Sequence, residues 1–297
     1  MKYYEKKGFK PLGRLKLFVL RQMVFKKFRK KLGGNLKAII VGAAHLNDDI
    51  AKIFAAAKIP IRIGYGLTEA SPVISVNRMQ KGLHKLGTVG LPLPGVEVII
   101  HQANEQGEGE IWARGRNIMI GYFKKPDDTQ KALNEDGWLM TGDIGKFVNK
   151  RFLKITDRKK DIFKTSAGKY IAPQELENHF KSSEFIEQIN VIGFQKPYVS
   201  ALVYPNYVML KEWASVENIH WSSEKYMALN IKINEKIKEE IATLNKLIPA
   251  YKRIENFYLL SEDFSIENGL LSNTLKPIRA KILERYAKPI ANLYNSK

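Results

Sequence analysis

The side chains with the greatest capacity for chemistry in this 297-residue chain sit in short stretches rich in glycine, hydroxyls and charge. In GYGLTE, Gly64 and Gly66 allow the backbone to approach a ligand closely, Tyr65 presents a flat face, Thr68 a hydroxyl, and Glu69 a hard oxygen ligand for a cation such as Mg²⁺. GWLMTGD ends on Asp143, which reads as a carboxylate at the end of a turn, able to accept hydrogen bonds from a pair of hydroxyls. Arg158 follows in TDRKKD, and NTLKPIR carries Lys276, a compact charge on a flexible stem. Together these groups offer hydroxyl donors, a cation and a hard oxygen ligand, suited to positioning an anionic ligand.

Other chemistries are excluded or unsupported. The chain has no cysteine, so a thiolate nucleophile, a thiolate metal site and a disulfide framework are all ruled out, and a reducing compartment is permitted. His45, in VGAAHL, is a lone histidine and reads as a structural or surface residue rather than a catalytic base. No Ser/Thr/Gly-rich loop ending in Pro-Lys-Gly occurs.

The elements that must position the candidate residues can be read from pattern. KAIIVG is a short apolar run, DDIAKIFAAAK follows with helical spacing after Asn47, and IPIRIGYG is a second β-rich run: an alternating α/β unit with a parallel sheet. VEVII, GEIWARG and FLKIT predict a small barrel-like sheet. A Lys-rich connector then leads to a helix over 173–180, strands around INVIGF and SALVYP, and an amphipathic helix over 225–247 whose stripe (Ile231, Ile233, Ile237, Ile241, Leu244) reads as core. A last helix is expected from Lys276 to about Ala287. The fold class is α/β plus α+β, with residues 1–157 forming part of a large domain and residues 158–297 a small α+β domain.

The order and spacing of GYGLTE, GWLMTGD, TDRKKDIFKTSAGKYIAPQELE and NTLKPIR resemble the adenylate-forming synthetases, and within them the long-chain acyl-CoA synthetases, over nearly the whole chain. ASPVISVN after GYGLTE matches the same group. The resemblance implies the C-terminal half of an AMP-forming fatty acid:CoA ligase using ATP, Mg²⁺ and coenzyme A. It further implies that Tyr65 packs on adenine beside Gly66, Thr68 binds the α-phosphate, Glu69 holds Mg²⁺ and Asp143 binds the ribose. Arg158 would contact ribose or phosphate, Lys160 would be the hinge of a mobile C-terminal domain, and Lys276 would bridge the substrate carboxylate and the α-phosphate. Gly168 belongs to a turn lining the pantetheine tunnel, where Ala167 stands in place of a glycine and would be strained if that position needs a positive φ. Ala43 and His45 depart from the family's small-residue turn.

Charge is uneven. Residues 1–34 carry twelve Lys and Arg against Glu5 alone, more than half of the formal excess of +19. Interleaved Leu15, Phe18, Val19, Met23, Phe25 and Phe28 fit either a helix packed on the missing half of such an enzyme, the stronger reading, or one lying on an anionic membrane surface. The apolar run Leu17–Leu20 is too short to span a bilayer and no secretory signal is present, so a cytoplasmic protein, peripheral to a membrane if that second reading holds, is expected. No nucleic-acid-binding motif accompanies the charge. With the phosphate loop absent, little activity is expected from the chain alone. The alternative is a non-catalytic nucleotide- or membrane-binding remnant, or one half of a split synthetase whose partner is an N-terminal half encoded upstream.

Overall fold

The computed structural model describes residues 24–42, 48–273 and 275–295. The turn containing Ala43 and His45 and residues 1–23 of the basic segment lie outside the described residues. The chain forms two compact units, Met1–Thr156 and Asp157–Lys297.

In the first unit, α1 (Lys26–Lys31) packs on α2 (Asp48–Ala56), with the ring of Phe28 edge-on to Phe54 at 5.2 Å. The Arg29 guanidinium donates to the Ala57 carbonyl just beyond the end of α2, where a cation complements the helix dipole. β1 (Ile39–Val41) pairs in parallel with β2 (Ile61–Tyr65) across α2, the expected α/β unit. Two short strands extend the sheet, β3 (Ser75–Val76) antiparallel to β2 and β4 (Leu91–Pro92) antiparallel to β3. Only glycine fits at Gly90, which has φ +89° and whose Cβ would overlap the Val76 backbone.

The expected barrel-like sheet is an open one, in the order β5 (Val96–His101), β6 (Gly109–Gly115), β7 (Leu139–Val148) and β8 (Phe152–Arg158). Ile111, Ala113, Leu139 and Leu153 bury one face together with Tyr65, Ala70 and Ile74. TGD is not a turn between elements. It is a bulge inside β7: Glu110 pairs with Ile144 but Trp112 with Met140, so β7 carries extra residues around Gly142, which has φ +71°. The bulge is held by the Thr141 hydroxyl donating to the Ile111 carbonyl at 2.7 Å and by the Gly142 amide donating to Glu110 Oε1 at 3.2 Å.

The second unit is built on a three-stranded sheet with β12 (Val199–Pro205) between β11 (Ile186–Ile192), antiparallel to it, and β13 (Ile254–Leu259), parallel to it. Both faces of β12 are covered. Val199, Ala201 and Val203 face a core formed with α4 (Pro173–Phe180), α5 (Tyr207–Val216) and α7 (Ile231–Asn245), whereas Leu202 faces one containing Ile282 of α8 (Arg279–Arg285) and Leu293 of α9 (Ala287–Asn295). This accounts for the near-continuous apolar run of SALVYP. The helix expected over 225–247 is two: α6 (Glu224–Met227) ends before Asn230, whose side chain accepts from the amides of Lys232 and Ile233 and starts α7 anew. Ile233, Ile237 and Ile241 are buried as expected, but Ile231, the first residue after the cap, is 74% exposed. The last helix likewise breaks at Tyr286 and continues as α9.

Glu177 of α4 is buried, accepts from the Val191 amide, and forms a two-pronged pair with Arg279 at 2.8 and 2.9 Å. Arg279→Met would leave that carboxylate buried without its cation, at a cost of about 3–5 kcal/mol in unfolding free energy. Urea titration at pH 7 of the variant beside the parent checks this.

Candidate functional site

Within the first unit, four of the candidate residues lie on one short stretch, Tyr65 ending β2 and Gly66, Thr68 and Glu69 following it. A Cβ at Gly66 would overlap the Pro72 carbonyl oxygen, so the backbone passes here only as glycine. The chain then extends through Leu67 and tightens into a single 3₁₀ turn, Thr68–Ala70, closed by Ala70 N–H donating to Leu67 O and Ser71 N–H to Thr68 O. Ala70 is fully buried and anchors the turn, which leaves Thr68 exposed at its start. The Ile74 amide donates back to the Tyr65 carbonyl at 2.8 Å, closing the loop onto the strand that launched it.

Tyr65 and Asp143 meet, although 78 residues separate them. The Tyr65 phenol donates to Asp143 Oδ2 at 2.7 Å, and each residue is only 7% exposed. The Tyr65 ring belongs to the apolar cluster with Ile74 and Ile111, so its polar tip, rather than a wholly open face, reaches the bulge of β7.

Glu69 has a partner that no sequence signal identifies. Tyr122 lies 53 residues on, and its phenol donates to Glu69 Oε1 at 2.7 Å. That bond, together with burial, pushes the phenol up to about 12. The Met119 amide donates to the Glu69 carbonyl, and the Asn117 side-chain amide donates to the carbonyls of both Ala70 and Val73. Tyr122 also lines an open cleft of about 550 Å³ with Ile120, Phe123 and Thr129. Among the described residues no group of three His, Cys, Asp or Glu side chains could hold a metal. Glu69 fits instead as one carboxylate of a Mg²⁺ ion that takes its other oxygens from phosphates and water.

The other candidates belong to the second unit. Arg158 ends β8 exposed, and its carbonyl accepts the amides of Asp161 and Ile162, closing a turn on which Lys160 is exposed. Gly168 sits in the hairpin joining β9 (Phe163–Lys164) to β10 (Tyr170–Ile171), with φ +79° and its amide donating to Thr165 O. Ala167 is not among the residues with positive φ, so the strain considered for it is absent and Gly168 alone supplies the left-handed conformation. Lys276 is exposed after Leu275, itself at φ +59°, in a loop where Lys276 N–H donates to Ser272 Oγ and Ser272 N–H to Lys276 O. Arg279, near it in sequence, is committed to Glu177 and packs as a structural cation.

One residue beside Arg158 escaped the sequence reading. Asp157 is fully buried, and its carboxyl accepts from the Arg158 amide at 2.6 Å and from the Gln174 amide, in the first turn of α4, at 2.9 Å. It caps that helix from outside the segment.

Two family models match the chain: AMP-binding enzyme over residues 14–123 and AMP-binding enzyme C-terminal domain over residues 160–297. Long-chain-fatty-acid–CoA ligase 6 of Mus musculus is 34% identical over 283 residues, which cover 92% of this chain and 40% of that protein. Long-chain-fatty-acid–CoA ligase 1 of Homo sapiens is also 34% identical, over 93% of this chain and 40% of its own length. The chain thus spans well under two thirds of these relatives. Among solved structures, the A domain of carboxylic acid reductase from Segniliparus rugosus, in complex with AMP and a co-purified carboxylic acid, is similar with a TM-score of 0.68 and 25% identity, over 97% of this chain and 43% of that one.

Burial raises the Asp157 carboxyl from 3.8 to about 7, against the lowering effect of its two amide donors and of Arg279. Across that window the folded protein keeps a proton that the unfolded chain has released, so stability falls as pH rises, by up to about 1.4 kcal/mol per pH unit. Asp157→Asn, which has no proton to release, removes the slope. Urea midpoints measured from pH 4 to 7.5 test this, and a slope that persists in the variant would show that another group carries it.

Proposed function

This chain belongs to the AMP-binding enzymes, and from that premise we propose that it is the C-terminal portion of a long-chain fatty acid:CoA ligase. The observation that carries the reading is the hydrogen bond joining Tyr65 to Asp143, which places the two motifs expected to hold adenine and ribose side by side, next to the turn bearing Thr68 and Glu69. The names and identities of the two ligases support the substrate class.

In the complete enzyme a fatty carboxylate attacks the α-phosphorus of ATP, forming acyl-AMP and releasing pyrophosphate. The thiol of coenzyme A then attacks the acyl carbonyl, and AMP leaves. Tyr65, backed by Gly66, supports the adenine and Asp143 the ribose hydroxyls. The exposed hydroxyl of Thr68 donates to the α-phosphate, where negative charge builds during attack. Lys276, exposed where its loop closes on Ser272, brings the carboxylate and the α-phosphate together against their mutual repulsion. Glu69 would hold Mg²⁺, which when bound neutralises phosphate charge. Arg158 contacts ribose or phosphate. Lys160 absorbs the torsional change between the two half-reactions, and the Gly168 turn then lines the path of the pantetheine arm.

Activity needs the polypeptide that the relatives carry beyond the region matched here. Palmitate-dependent ATP–pyrophosphate exchange is expected to be near background for the chain alone and restored when the segment encoded immediately upstream is co-expressed. In the restored pair, Lys276→Ala lowers exchange by at least about a hundredfold. Silence of a soluble, associated pair would overturn the ligase assignment, and exchange by the chain alone at ordinary synthetase rates would overturn the need for a partner.

A further inference from the structure

The contacts around Glu69 are arranged asymmetrically. Oε1 accepts from the Tyr122 phenol at 2.7 Å, whereas Oε2 takes part in no hydrogen bond or ion pair among the described residues. Tyr122 is itself held from behind: its amide donates to Thr129 Oγ1 at 2.9 Å, and that hydroxyl donates to the Lys125 carbonyl. Gly121, at φ +150°, is what lets the chain turn there, because a Cβ would come within 2.9 Å of the Thr129 methyl. The same segment grips the backbone at Glu69 and just after it, the Met119 amide donating to the Glu69 carbonyl and the Asn117 side chain to those of Ala70 and Val73. A glutamate on a turn this exposed would ordinarily sample several rotamers, and ordering it on metal binding would oppose that binding.

We propose that Tyr122 is a positioning residue for Glu69: its phenol fixes one carboxylate oxygen and leaves the other, Oε2, as the oxygen offered to a divalent cation carried by the phosphates of a nucleotide. This rests on the reading of Glu69 as the Mg²⁺ ligand. The bond is charge-assisted, so it orders the carboxylate without neutralising it, and the site keeps the full negative charge that a hard cation requires. Because Tyr122 touches neither phosphate nor cation in this scheme, its effect appears only where a metal is present.

Calorimetric titration of the 297-residue chain separates this role from simple packing. Tyr122→Phe keeps the ring and, with Tyr122 already 37% exposed, is expected to keep the fold, checked by an unchanged thermal midpoint. The expected result is an affinity for ATP with Mg²⁺ about tenfold weaker than the parent, the scale of one hydrogen bond to a charged group. Affinity for AMP in EDTA is unchanged. Glu69→Gln shows the same metal-specific loss, and the double variant adds nothing to it. An unchanged affinity for Mg²⁺-ATP in Tyr122→Phe, or an equal loss with and without metal, overturns the positioning role and leaves the proposed function intact. A parent chain that binds ATP no better with Mg²⁺ than in EDTA overturns the reading of Glu69 itself, and the role of Tyr122 falls with it.

Discussion

A carboxylate that loses its water must find donors inside the protein, and the first unit is arranged around one such requirement. Asp143 is nearly buried, and it takes the phenol of Tyr65 at 2.7 Å. For the two to meet, β2 must end where it does and β7 must bulge at Gly142. The bulge depends in turn on Thr141 and Glu110, which satisfy the ladder groups it leaves open. The Tyr65 ring is fixed on its apolar side by the hydrophobic cluster of Ile74, Ile111, Leu139 and Leu153.

The second unit meets the same requirement with more charge. Glu177 is neutralised by the fork of Arg279 and also accepts from Val191, so a helix, a strand and the start of α8 converge on one carboxylate. Such a pair contributes definition more than net stability, since removing both partners can be nearly neutral whereas removing one is costly. Asp157 differs: two backbone amides hold it, but burial keeps its proton on to about pH 7. Arg158 is thereby set at the head of a turn on which Lys160 is exposed.

Steric necessity does the rest. Gly66 and Gly90 lie where another backbone segment occupies the space of a Cβ, and both border the turn or the sheet that presents Thr68 and Glu69. The segment from Asn117 to Tyr122 clamps that turn from outside, which makes a short exposed loop a defined surface.

The amphipathic and alternating stretches were legible in advance because burial of one face imposes a period on the chain: β1, α2, β2, β5, β6, α4, β11 and β12 were all readable from pattern. β7 was not, because Thr-Gly-Asp carries the signature of a turn and only the register of β6 against β7 shows that the same residues bulge within a strand. The break at Asn230 was hidden by an isoleucine spacing that continues across it. Composition and local pattern thus indicated much of what is buried, though not the exposure of Ile231, and the four motifs indicated which residues have chemistry to offer. The partners of those residues depend on contacts between positions far apart in sequence, 78 residues for Tyr65 and Asp143, 53 for Glu69 and Tyr122, 102 for Glu177 and Arg279. No period or local propensity records such pairings, because it is the closing of the sheets that brings their donors and acceptors within reach.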